Sequence, residues 1–273
     1  MRDKTFKICF KVVCLTSIYL LVVISSAFFA FPPVEAQNNG KKDIAVLIVP
    51  HHLVAQDYIA RAFEYVSKNR EIVPERVILM GPNHFFRGEG KIITTDISWK
   101  TSYGEIAPDK DFIKKLVLFN FASEEKNIVE GDHSITNLLP FIKQFYPDAK
   151  LVPLLMREPF NPEYATAFGK TLAESLDEKT LIIASIDFSH YLPKKVADEH
   201  DEESIKALYN LDFDFFHKKI DADSPHILMV LARYLSKTGY RKFNFLSHTN
   251  SAILTGNPDE ESTTSHITGF FEK

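Results

Sequence analysis

The chain has 273 residues, 32 basic and 36 acidic side chains, a net charge of −4 and two cysteines. With no basic stripe or Arg-rich run, nucleic acid is excluded as the expected partner, because a phosphate backbone demands a positive footprint. Cys9 and Cys14 both lie near the start, so the rest of the chain has no disulfide, thiol nucleophile or thiolate ligand to work with.

Arg2, Lys4, Lys7 and Lys11 form a basic start, and an apolar run then spans residues 12–31. Pro32 and Pro33 break that run, and Val34-Glu35-Ala36 ends in a small residue. This reads as a secretory signal peptide cut after Ala36. The same run is also long enough for a retained membrane anchor, with attachment through residues 12–31. In both cases the basic end stays inside, which predicts an exported domain, periplasmic or extracellular. Residues 1–36 hold four basic and two acidic side chains, so the net charge without them is −6. Residues 37–42 form a short polar linker, and 43–273 suit a single domain large enough to build a core without disulfides.

Short apolar runs then alternate with amphipathic stretches. Strands are predicted at 43–49, 76–82, 91–97, 150–156, 180–187, 241–247 and 264–271. Helices are predicted at 54–68, 109–120, 134–146, 162–177, 200–209 and 224–237. The strands are mostly unbroken Val/Ile/Leu runs, the pattern of strands covered on both faces. Their alternation with helices predicts an α/β fold, three-layer α/β/α with a mixed, mostly parallel central sheet.

Three of these runs end in histidine. His51 follows Ile44–Pro50, His84 follows Val77–Asn83, and His190 closes Leu181–Ser189. In an open α/β sheet the carboxyl ends of the strands form the ligand-binding edge, so these imidazoles are expected to converge. That pattern points to metal or acid–base chemistry. His51 and His52 are adjacent, and extended backbone would send them to opposite sides. Gly81-Pro82-Asn83 is turn chemistry that lets His84 face back towards the strand ends. Asp187 and Ser189 alternate with Ile186 and Phe188 and so share a face. Asp187 is a candidate ligand or a carboxylate that orients an imidazole, and His190 a candidate general base. Asp132 or Ser134 caps the next helix, which leaves His133 to project into the cleft. His248 follows Phe243–Ser247, whereas His200, His217, His226 and His266 read as ordinary. The chain lacks a Gly-x-Ser-x-Gly elbow, a Walker loop, a dinucleotide fingerprint and His-Glu-x-x-His, which favours a metal site over those chemistries.

Taken together, the segments Pro50-His51, Gly81-Pro82-Asn83-His84, Trp99–Ile106, Asp132-His133-Ser134-Ile135, Leu139-Pro140-Phe141, Ser185–Tyr191, Asp201–Leu211 and Thr249–Gly269 resemble the Memo family in order and content. That group includes bacterial proteins called AmmeMemoRadiSam system protein B. The resemblance covers nearly all of 43–272. It implies a fold like that of class III extradiol dioxygenases, which use non-haem iron held by two histidines and a carboxylate. By resemblance, His51 and His84 fall at metal positions and His190 at the catalytic position, with His133 and Asp187 lining the pocket. Where the family continues with Ala-Gly-Tyr after the first histidine, this chain has His52-Leu53-Val54. Some Memo proteins take a third ligand from a cysteine near the last strand, and here His248 or Asp187 is left to substitute.

Two functions follow as expectations. One is a metal-dependent, dioxygenase-like oxidoreductase binding iron or copper and acting on a small molecule. The other is a non-catalytic module that keeps the fold and binds a peptide or protein partner, since fold does not fix function.

Overall fold

The computed structural model describes residues 40–157, 160–257 and 259–273. The predicted leader and half of the linker, residues 37–39, therefore lie outside the described residues. Among those described, no helix is long and apolar enough to cross a membrane.

The elements in chain order begin with β1 (Ile44–Val49), α1 (Gln56–Asn69), β2 (Arg76–Pro82) and β3 (Ile92–Thr94). A small hairpin, β4 (Trp99–Thr101) and β5 (Gly104–Ile106), leads to α2 (Lys110–Leu118) and β6 (Ser123–Glu124). Three short helices follow, α3 (Lys126–Val129), α4 (His133–Thr136) and α5 (Leu139–Phe145), then β7 (Lys150–Met156) and α6 (Pro162–Ser175). Next come β8 (Thr180–Ser185), β9 (Phe188–Leu192), α7 (Lys194–Asn210), α8 (Phe213–Lys218) and α9 (Pro225–Thr238). The chain closes with β10 (Lys242–Asn250), α10 (Ser251–Thr255) and β11 (Thr263–Glu272).

The main sheet runs β10-β11-β1-β8-β2-β7-β3-β6, with β9 paired to β11. Its centre, β1-β8-β2-β7, is parallel throughout, while β11 runs antiparallel to both β1 and β10. Alternate residues of the central strands feed two separate cores. Leu181 and Ile183 of β8 pack with Phe63 of α1 and Leu139 of α5, whereas Ile182 and Ala184 pack with Phe168 of α6 and Val230 of α9. Helices thus cover both faces, and the three-layer α/β/α architecture with a mixed, mostly parallel sheet is what forms.

Several predicted boundaries change for identifiable reasons. The helix predicted at 134–146 is two helices, because Pro140 has no N–H for the preceding turn and sits at the start of α5. The strand predicted at 180–187 stops at Ser185, and 188–192 form a strand of their own that pairs with β11. His190 therefore lies on β9 and is not the end of β8. The strand at 91–97 shortens to Ile92–Thr94, and the helix at 200–209 begins earlier, at Lys194.

Candidate metal and acid–base site

Because β1, β8 and β2 are neighbours and parallel, their carboxyl ends deliver His51, Asp187 and His84 to one place. The Ile186 N–H donates to the Val49 carbonyl at 2.9 Å, which carries the β1–β8 pairing one step further and sets Asp187 beside His51. Gly81 lets α4 approach the end of β2: a Cβ there would meet Ser134 Oγ at 2.5 Å. Ser134 Oγ instead donates to the Pro82 carbonyl at 2.8 Å, and His133 comes in on α4.

The result is a tight group of imidazoles. Ring centroids lie 4.9 Å apart for His51 and His84, 5.3 Å for His51 and His133, and 4.1 Å for His84 and His133. His84 is held from behind. Its Nδ1–H and its backbone N–H each donate to Asp132, both at 2.9 Å, and Asp132 also caps α4 by accepting from the Ser134 N–H. Burial would raise the Asp132 carboxyl, but the bonds from His84 and Ser134 outweigh it and hold its pKa down at about 2. A ring anchored through Nδ1 turns its Nε2 to the pocket, the arrangement of a carboxylate–histidine pair that orients a metal ligand.

The His51 tautomer follows from counting protons. Ser185 Oγ has one hydrogen and donates it to the Ser134 carbonyl at 2.7 Å, so at its 3.0 Å contact with His51 Nδ1 it accepts. His51 thus carries its proton on Nδ1 and turns a lone pair at Nε2 towards Asp187 Oδ2 at 3.2 Å and Asp223 Oδ2 at 3.3 Å. Burial, with help from His84, His133 and His52, overcomes the attraction of Asp187 and pushes the His51 pKa down to about 4. Near neutral pH three acceptors therefore face one another. His84 Nε2 completes the group, 3.8 Å from Asp223 Oδ2.

Asp187 is fully buried, and three imidazoles surround it. His266 Nδ1–H donates to Oδ1 at 2.8 Å, while His51 Nε2 and His52 Nδ1 each lie 3.2 Å from Oδ2. Oδ2 nonetheless accepts no aligned hydrogen bond. Burial raises the Asp187 carboxyl, but the bond from His266 and the contact with His52 outweigh it and hold it well below the usual range.

The structure thus brings together His51, His84, His133 and Asp187 from the expected set. His190 stands at the edge of the group, where burial lowers its pKa against the pull of Asp187 and Asp221. His248 is elsewhere. Its Nε2–H donates to Asp201 Oδ2 at 2.8 Å, and Ser189 donates to Asp201 Oδ1, so Ser189 and Asp187 do not share a neighbourhood. Two further sequence expectations are corrected. His51 and His52 do not diverge, because the chain turns into a 3₁₀ helix at Leu53–Ala55 and both rings reach the same carboxylate oxygen. His266 is not ordinary: it is fully buried against Asp187.

Asp223 was invisible in the sequence. It lies outside any strand, and the only local signal is Ser224-Pro225, which starts α9. What docks it is backbone pairing across the fold, since the Asp223 N–H donates to the Asp187 carbonyl at 3.0 Å and Phe188 bridges to Ala222.

These shifts predict how the metal-free protein responds to acid. The His51 pKa is about 4 in the fold and 6.5 when unfolded, so between those values the unfolded chain binds the extra proton. Stability is full above pH 6.5 and falls as the pH drops towards 4, by about 3 kcal/mol from His51. The lowered His133 and His190 act in the same direction, and the raised His52, paired with Asp187, opposes them. Urea unfolding in the presence of chelator at pH 7 and pH 5 should show the lower midpoint at pH 5. Equal midpoints would contradict the burial of a neutral His51.

Comparison with known proteins agrees with this architecture. The profile of the Memo-like protein family matches residues 24–268. A MEMO1 family protein of Caldivirga maquilingensis is 26% identical over 228 residues, covering 80% of each chain, and one of Saccharolobus solfataricus is 27% identical, covering 83% of each. A MEMO1 family protein of Aquifex aeolicus is 32% identical over 60% of this chain and 61% of its own. The crystal structure of an uncharacterized Escherichia coli K12 protein superposes with a TM-score of 0.54 at 14% identity, over 82% of this chain and 99% of that one, and so shares the fold. With the profile spanning most of the sequence, the chain belongs to the Memo-like protein family.

Proposed function

We propose that the pocket is the site of a metal-dependent oxidoreductase, with His51, His84 and Asp223 as ligands to iron or copper. The observation that carries this reading is the lone pair of His51 Nε2 set 3.2 Å and 3.3 Å from two carboxylate oxygens. Acceptors packed that closely in a buried site repel unless a cation lies among them. The donor set fits such an ion. Two imidazoles and a carboxylate with open positions are the arrangement of non-haem iron(II) oxygenases, and imidazole also suits copper. When bound, the metal supplies Lewis acidity and one-electron chemistry.

The chain's own residues do the rest. Asp132 and Ser185 fix the two ring tautomers so that Nε2 of each histidine stays available. His133 and His190, kept neutral near pH 7 by burial, are placed to take a proton from a substrate hydroxyl. The residues that follow the pocket histidines, Leu53, Val54, Phe85 and Tyr191, are exposed. They favour a small substrate with an apolar part. Export of the domain rests on the basic start and the apolar run of residues 12–31.

The test is metal content by mass spectrometry of the purified protein beside His51→Ala and His84→Ala, with oxygen uptake measured on phenolic substrates. Wild type should retain iron or copper and the two variants should lose it. Equal metal in all three would sink the reading. A metal-free protein that binds a peptide with the histidines replaced would support the non-catalytic module instead.

A further inference from the structure

Three imidazoles around Asp187 exceed what orienting one carboxylate requires. Only His51 belongs to the ligand set above, which leaves His52 and His266 without an assigned part. One ligand atom from each of His52, Asp187 and His266 lies within 4.8 Å of the others. Asp187 Oδ2 sits 3.2 Å from a nitrogen of both His51 and His52, is fully buried, and accepts no aligned hydrogen bond. A buried carboxylate oxygen left open in that way is costly, so the fold has a reason to fill it. His266 is fully buried as well, its Nδ1 lies 2.8 Å from Asp187 Oδ1, and once its proton sits on Nε2, which has no hydrogen-bond partner, Nδ1 turns a lone pair to an ion beside Asp187. Packing alone does not account for an imidazole there.

We propose that Asp187 bridges two cations, and that His52, Asp187 and His266 hold a second divalent transition-metal ion beside the one on His51, His84 and Asp223. The proposal rests on the reading above for the first ion. Imidazole and carboxylate donors suit iron, manganese, cobalt or zinc. Carboxylate-bridged pairs of such ions sit about 3.5–4 Å apart, a span that one buried Asp can bridge. His52 is the ligand open to solvent, with its side chain 49% exposed, so the second ion exchanges through that side and binds more weakly than the first.

The probe is cobalt(II), added to the metal-free purified protein in equilibrium dialysis with electron paramagnetic resonance at each equivalent. Two equivalents are expected in the wild type, and the second should quench the signal of the first through coupling across the bridge. His52→Ala should bind one. His266→Gln should also bind one; if it fails to fold, the half-exposed His52 still carries the test. His248→Ala, in the separate cluster with Asp198 and Asp201, should keep two. A wild type that binds a single equivalent, lost in His84→Ala, would overturn the second position and leave the first standing. Two uncoupled equivalents, or two retained in His52→Ala, would overturn it as well. No binding at all would remove both readings.

Discussion

Replacing Asp223 with alanine is expected to weaken metal binding by about 100-fold or more, while making the metal-free protein more stable. The two signs come from the same geometry. With an ion present, Asp223 supplies the anionic ligand near His51 Nε2 at 3.3 Å and His84 Nε2 at 3.8 Å. Structural ions bound by four ligands gain about 10–16 kcal/mol in total, so one ligand is worth about 3 kcal/mol, which corresponds to roughly that factor. Without an ion, Asp223 Oδ2 and Asp187 Oδ2 both crowd the His51 lone pair. Removing one of two like charges relieves that repulsion, and the relief is expected to exceed the loss of the 3.3 Å bond that Asp223 Oδ2 accepts from the Asp187 N–H. Thermal unfolding with and without chelator, alongside iron(II) or copper(II) titration, checks both halves. If Asp223→Ala melted lower than wild type in chelator, Asp223 would be a structural residue and not a ligand held under strain.

The second large effect is expected at Asp187. Asp187→Ala leaves the Nδ1–H of the fully buried His266 without its acceptor and removes the negative charge between His51 and His52. Breaking a buried pair from one side costs about 3–5 kcal/mol, equivalent to roughly 6–20 °C in Tm for a domain of this size. Asp187→Asn keeps the shape and can accept the His266 bond through its amide oxygen, so it should recover most of that stability while still binding less metal. Calorimetry on both variants separates packing from charge. A pair of variants equally stable with wild type would mean that the His266 contact contributes nothing to the fold.

The sequence by itself determined the scaffold and half of the site. The buried Val/Ile/Leu runs set the period and length of β1, β2 and β7 and the start of β8, and parallel strands of that kind can only be covered by helices on both faces. Once those strands are parallel, histidines placed just beyond β1 and β2 must meet at the same edge, which is why His51 and His84 were legible. The first motif also announced its departure, with His52 where the family has alanine.

Tertiary structure decided the carboxylate and the extra imidazoles. Asp223 belongs to no regular element, and it reaches the pocket through bonds to a residue 36 positions away: its N–H donates to the Asp187 carbonyl and its Oδ2 accepts from the Asp187 N–H. No local pattern encodes such a meeting. His266 sits mid-strand on β11, and its inward direction matters only because β9 hooks back to pair Ser265 with Phe188 beside Asp187. His190 moved off β8 for the same reason. Periodicity reports which residues are buried; which buried polar groups face one another depends on strand order and register, and those are settled only when the whole sheet closes.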